Sequence, residues 1–166
     1  MFRKMRRGKQ ELSPADCTEI LEKGSSGVLA VMGDGGYPYA VPLSYVYAEG
    51  RIFFHSASEG HKIDALKNNP KVSFCVIGTD EVIPEKYTTK YKSVIAFGTA
   101  RIIADKNEKA AAARLLGEKY NPGDPTGLEA EIKNGVDRML IIELVPEHIS
   151  GKEGIEFTRE RNGGNA

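Results

Sequence analysis

Apolar and polar positions change period several times along this chain, and each change marks an element. Val28-Leu29-Ala30-Val31-Met32 is a short apolar run, Gly33-Asp34-Gly35-Gly36 is turn chemistry, and an extended run continues from Tyr37 to Tyr47. The pattern predicts a β-hairpin. Pro38 and Pro42 place its second strand at a sheet edge, at a bulge, or where backbone is left free for another contact. Ala48-Glu49-Gly50 turns the chain again, and residues 51–56, 71–77, 93–103 and 138–145 read as further strands. Helical signals lie between them. Ser13-Pro14-Ala15-Asp16 combines an N-cap, a proline at the first helical position and an acid in the first turn, and Gly24 ends that helix. Residues 60–69 form a short helix with Ile63 and Leu66 on one face, stopped at Asn69-Pro70. Residues 105–120 carry an alanine run with Leu115 and Leu116, and a weaker helical stretch follows to Asn134. Residues 78–92 are polar and contain a proline, which reads as a functional loop; residues 153–166 read as a frayed tail closing on Gly163 and Gly164. Short strands joined by hairpins, with helices as excursions, indicate an antiparallel barrel in an α+β protein.

Composition narrows the function. A chain of 166 residues makes one domain the expectation, and 40% hydrophobic with 28% charged residues suits a globular core. Lys plus Arg and Asp plus Glu are 23 each, which disfavours a generally basic nucleic-acid binder. The N-terminus departs from that balance, with Arg3, Lys4, Arg6, Arg7 and Lys9 together and no acid among them. This arm reads as solvated, or else as a dimer or anion contact. Cys17 and Cys75 stand far apart with no C-x-x-C pair, so neither a disulfide scaffold nor a zinc module is signalled. No apolar run approaches the ~20 residues that span a bilayer, and Glu11 and Asp16 follow the charged start where a signal peptide would be apolar. A soluble, cytoplasmic protein without a membrane partner is the expectation.

Candidate chemistry concentrates in one segment. His55, His61 and His148 have no metal-ligand spacing, so no metal site is expected, and no nucleophile elbow, Walker loop or dinucleotide glycine fingerprint occurs. The run His55-Ser56-Ala57-Ser58-Glu59-Gly60-His61-Lys62 joins a strand end to a helix start. It gathers hydroxyls, imidazoles and an ammonium where helix N–H groups already favour an anion such as phosphate. A simpler reading leaves Ser58 as an N-cap and Lys62 in solvent. Lys90-Tyr91-Lys92-Ser93 is a second basic-polar cluster, either a further phosphate donor or an exposed strand end.

Six runs then occur in order: residues 36–45, 52–57, 60–62, 69–74, 91–101 and 149–152. They read GYPYAVPLSY, IFFHSA, GHK, NPKVSF, YKSVIAFGTAR and ISGK. Together they resemble the flavin-binding split-barrel proteins of the pyridoxamine 5′-phosphate oxidase-like superfamily, and within it the 5-nitroimidazole resistance (Nim) family. The likeness covers residues 1–153, leaving 154–166 as a flexible tail. It implies a six-stranded split β-barrel with short flanking helices, forming a homodimer that holds two FMN molecules at its interface. By the same resemblance, the backbone of Val41, Pro42, Leu43 and Ser44 lies beside the isoalloxazine ring, and Ser56, Ala57, His61 and Lys62 belong to the phosphate-binding segment. The family often has Arg where His61 stands. Ser93 and Val94 match a strand that reaches the cofactor, in one reading across the dimer, and His55 matches the active-site histidine. The implied activity is an FMN-dependent oxidoreductase acting on nitroimidazoles or similar small aromatic electron acceptors, with the flavin carrying the redox chemistry. A flavin-binding or flavin-storage protein without specific turnover is the rival, and haem or a deazaflavin is carried on related barrels. A pyridoxamine 5′-phosphate oxidase proper is disfavoured by a tail that lacks a basic end, Arg161-Asn162-Gly163-Gly164.

Overall fold

The computed structural model describes residues 1–163. Strands β1 (Ser26–Met32), β2 (Pro38–Ser44), β3 (Val46–Ala48), β4 (Arg51–Ser56), β5 (Lys71–Ile83), β6 (Thr88–Ile102) and β7 (Leu140–Glu153) form one sheet in the order β2-β1-β5-β6-β7-β4-β3. Every pairing in it is antiparallel. Helices α1 (Pro14–Lys23), α2 (His61–Asn68), α3 (Lys106–Tyr120) and α5 (Ile155–Arg161) pack against the sheet, and α4 (Pro125–Gly135) packs on α3.

The connectivity forces the sheet to close. β2 and β3 occupy opposite edges, yet Tyr45 alone separates them in sequence. Two peptide steps span at most ~7 Å, so the two edges must meet and the sheet curls into a barrel. At the junction β2 hydrogen-bonds to β1 while β3 hydrogen-bonds to β4, which leaves the barrel split there. Tyr45 is fully buried at this seam, and its hydroxyl donates to the Leu21 carbonyl oxygen at 2.7 Å. Burial pushes its phenol well above the usual range. Phe74 sits between Tyr45 and Phe54, meeting each edge-on at 4.9 Å between ring centroids. Burying such aromatic pairs adds ~0.5–1.5 kcal/mol each beyond their area. α1 starts as its sequence predicts: the Ser13 hydroxyl accepts from the Asp16 N–H, and the Asp16 carboxylate accepts from the Ser13 N–H.

Four sequence expectations change. The sheet has seven strands rather than six, because the run 37–47 is two strands that part at Tyr45. Residues 78–92 are not a loop but the far end of a β5–β6 ribbon, turning at Pro84–Lys86 with Tyr87 at φ 49°. Its inward positions carry polar side chains that meet α5 and not an apolar core, so Glu81 opposite Lys90 and Thr79 opposite Lys92 hide the apolar alternation that announces a strand. β7 runs on from residue 145 to Glu153, passing Pro146 at a register shift opposite Gly98. The segment expected to fray holds α5: buried Thr158 donates to the Glu153 carboxylate at 2.9 Å, and the Gly154 N–H donates to the Tyr91 carbonyl oxygen at 2.8 Å. Residues 164–166 lie outside the described residues. Among the described residues no helix is long and apolar enough to cross a membrane.

Candidate functional site

The end of β4 presents its side chains alternately, so His55 is exposed while Ser56 is buried. Ser56 is 5% exposed, and its hydroxyl has no hydrogen-bond partner among the described residues. A buried hydroxyl left unmet costs ~1–3 kcal/mol, which marks the position as one where something else supplies the partner. Gly60 follows at φ 123°, a backbone conformation open to glycine, and launches α2 without any side-chain cap. Ser58 therefore does not act as the N-cap. The Ile63 and Asp64 N–H groups bond to the Gly60 carbonyl oxygen, leaving those of His61 and Lys62 with no side-chain acceptor. Lys62 is half-buried and forms no ion pair or hydrogen bond among the described residues.

His61, at the start of α2, is engaged by the β1–β2 hairpin. Its ring stacks on Tyr39 at 4.2 Å, and Nε2 accepts from the Asp34 N–H at 3.4 Å with the Asp34 carboxylate 3.6 Å away. The imidazole thus ties the start of α2 to the β1–β2 turn. Neither Tyr39 nor Asp34 stood out in the sequence, because no spacing rule links them to a residue 22 or 27 positions on.

Val41, Pro42, Leu43 and Ser44 lie on β2, whose outer edge has no strand partner. An edge is where prolines are tolerated, and it accounts for Pro38 and Pro42. Val41 and Leu43 pack inward against the core, while Pro42 and Ser44 face out. β2 touches β4, the strand that ends in His55 and Ser56. Ser93 and Val94 do not join that cluster. Ser56 pairs with Leu140 on β7, whereas Ser93 pairs with Lys152. That interval of twelve residues corresponds to ~40 Å of strand contour at ~3.3 Å per residue. The Val94 side chain is fully buried in the barrel core. Lys90 is ion-paired to Glu160 and Lys92 lies over the Phe157 ring at 4.8 Å, so this basic cluster is absorbed by α5.

The seam beside β2 is held from outside by residues the sequence did not flag. The Tyr120 hydroxyl, at the end of α3, accepts from the Tyr45 N–H at 2.9 Å and lies 2.8 Å from the Tyr45 carbonyl oxygen and close to that of Ser25. Lys119 donates to the Gly24 carbonyl oxygen at 2.6 Å and sits over the Tyr45 ring at 4.3 Å; burial holds its ammonium below the usual range. Among the described residues no three His, Cys, Asp or Glu side chains converge to hold a metal.

A family model described as pyridoxamine 5′-phosphate oxidase matches residues 13–153. No curated protein matches the chain significantly. Among solved structures, one provisionally named as a 5-nitroimidazole antibiotic resistance protein from Bacteroides thetaiotaomicron superposes with a TM-score of 0.74 at 20% identity, covering 86% of each chain. A conserved hypothetical protein from Mycobacterium tuberculosis gives 0.80 at 16% identity, over 98% of this chain and 96% of the other. A FAD-binding protein from Mesorhizobium loti gives 0.63 at 29% identity, over 87% and 96%.

Proposed function

The chain belongs to the pyridoxamine 5′-phosphate oxidase family, and on that premise we propose that it is an FMN-binding oxidoreductase that reduces nitroimidazoles or similar small aromatic acceptors. The observation that carries the reading is the orphaned Ser56 hydroxyl beside the uncapped start of α2. A phosphate fits those groups: it would accept from Ser56 and from the free N–H groups of α2, with Lys62 as counter-charge. The Val41–Ser44 backbone would flank the ring. Bound FMN would supply two-electron redox chemistry. His55, exposed at the end of β4, would donate a hydrogen bond or a proton to charge developing on the acceptor. A single phosphate cluster favours FMN, while the Mesorhizobium loti protein keeps FAD in play. Mass spectrometry of the released cofactor separates the two.

A homodimer follows from the same residues. Ser93 lies far along β7 from Ser56, so a site using both needs the second copy. An outer face of β1, β5 and β6 also exposes Val28 at 38%, Met32 at 48%, Ile77 at 64% and Ile95 at 37%. Across it, Pro42, Val28, Cys75 and Ile95 stand in one register row. Such a patch suits burial against a twofold mate. Two free, well-separated thiols fit a cytoplasmic setting.

The test is anaerobic. Flavin bound to the purified protein and reduced should be reoxidised faster by a nitroaromatic than by buffer alone; equal rates would favour the flavin-storage reading. The absorption spectrum of the same sample distinguishes flavin from haem or a deazaflavin.

A further inference from the structure

The ladder between β1 and β2 ends on a rung that a side chain completes. The Gly33 N–H donates to the Tyr37 carbonyl oxygen at 2.8 Å, one step beyond the pair Met32 and Pro38. Bonded and unbonded pairs alternate in an antiparallel ladder, so the bonds fall on Val31 with Tyr39, Leu29 with Val41, and Gly27 with Leu43. Ser26 and Ser44 make none. Pro38 and Pro42, which have no N–H, occupy unbonded positions of the same alternation. The backbone groups of Ala40, Pro42 and Ser44 therefore face the free edge of β2. In the same register Ser25 and Tyr45 would form the next bonded pair, yet among the described residues no backbone bond joins them. The Tyr120 hydroxyl stands in that place. It accepts from the Tyr45 N–H at 2.9 Å and lies against the carbonyl oxygens of Ser25 and Tyr45, one of which takes its proton.

We propose that Tyr120 is a positioning residue for the flavin ring, acting through the Ser44 peptide; the inference rests on the flavin site proposed above. The Ser44 carbonyl and the Tyr45 N–H belong to one planar trans peptide, so they point in opposite directions and a grip on one aims the other. The last bonded pair with β1 is at Leu43, so β1 does not restrain that plane. Tyr120 holds it from outside the barrel. From within, the Tyr45 hydroxyl is pinned to the Leu21 carbonyl oxygen at 2.7 Å, and a side chain at Gly24 would collide with that hydroxyl. Lys119 seats the end of α3 on the Gly24 carbonyl oxygen at 2.6 Å. Together these contacts fix the Ser44 carbonyl on the edge that would face the isoalloxazine.

Titration of the full chain with FMN and with riboflavin, well below its melting temperature, tests this. Tyr120→Phe keeps the aromatic ring and removes the hydroxyl. It should weaken FMN and riboflavin alike, each by about tenfold, the size of one lost hydrogen bond. The visible absorption and midpoint potential of the bound flavin should shift with it. Ile132→Ala is the control, because it loosens the packing of α4 on α3 and lowers stability without touching the seam. Both affinities and the spectrum should be unchanged there. A Tyr120→Phe chain that binds like Ile132→Ala, or that loses FMN while keeping riboflavin, would overturn the inference and leave the flavin site standing. A wild-type chain that takes up neither ligand would defeat the proposed function, and the inference with it.

Discussion

Ser56 illustrates how one residue can be tuned against the stability of the protein that carries it. Its buried hydroxyl lacks a partner, so Ser56→Ala removes an unmet group and should raise the melting temperature of flavin-free protein. The same change should weaken FMN by ~1.5–3 kcal/mol, the range for a hydrogen bond to a charged group. A variant less stable without flavin would show that water already serves the hydroxyl. Lys62→Ala should cost FMN a similar ~1.5–3 kcal/mol while riboflavin, lacking phosphate, binds as before. Equal losses would place Lys62 elsewhere. His55→Ala should keep FMN bound but slow acceptor reduction by ~10²–10⁴-fold. Recovery in His55→Gln would indicate polarisation rather than proton transfer, and a wild-type rate in the alanine variant would remove His55 from the chemistry. That these residues stand together was readable in the sequence, because a strand end, a glycine and a helix start bring them within a few positions of each other. The engagement of His61 by Tyr39 and Asp34 was not, since it depends on how the β1–β2 hairpin folds over α2.

Elements followed their local signals where one face was buried in an apolar core and escaped them where none was. α1 announced itself through Ser13, Pro14 and Asp16, and β1 through a short apolar run ended by turn residues. The ribbon of residues 79–92 gave no such signal, because what covers it is α5 through Lys90, Lys92 and Thr88, polar contacts that leave no apolar alternation. Tyr45 concealed the break between β2 and β3 for the opposite reason: it is apolar enough to continue the pattern, yet it carries the chain from one edge of the sheet to the other. That crossing depends on α3. Tyr120→Phe removes the acceptor for the buried Tyr45 N–H, so it should lower unfolding free energy by ~1–3 kcal/mol in urea titration. A loss below ~0.5 kcal/mol would mean that water takes the place of the hydroxyl without penalty.

At the scale of the whole molecule, the exposed row from Pro42 to Ile95 predicts association. Sedimentation should give a dimer of the 18.1 kDa chain, and a concentration-independent monomer with full flavin occupancy would contradict the twofold arrangement. The span of β7 between the partners of Ser56 and Ser93 has a genetic counterpart. Take Lys62→Ala and Ser93→Glu, each expected to weaken both sites of its own homodimer, so that neither fills at an FMN concentration just sufficient to saturate the wild type. When the two chains are unfolded and reassembled together at equal amounts, mixed dimers gather both lesions into one site and leave the other intact. Intersubunit complementation should then restore about one quarter of the full flavin capacity, since about half of the dimers are mixed. If neither variant rescues the other, each site is built within a single chain.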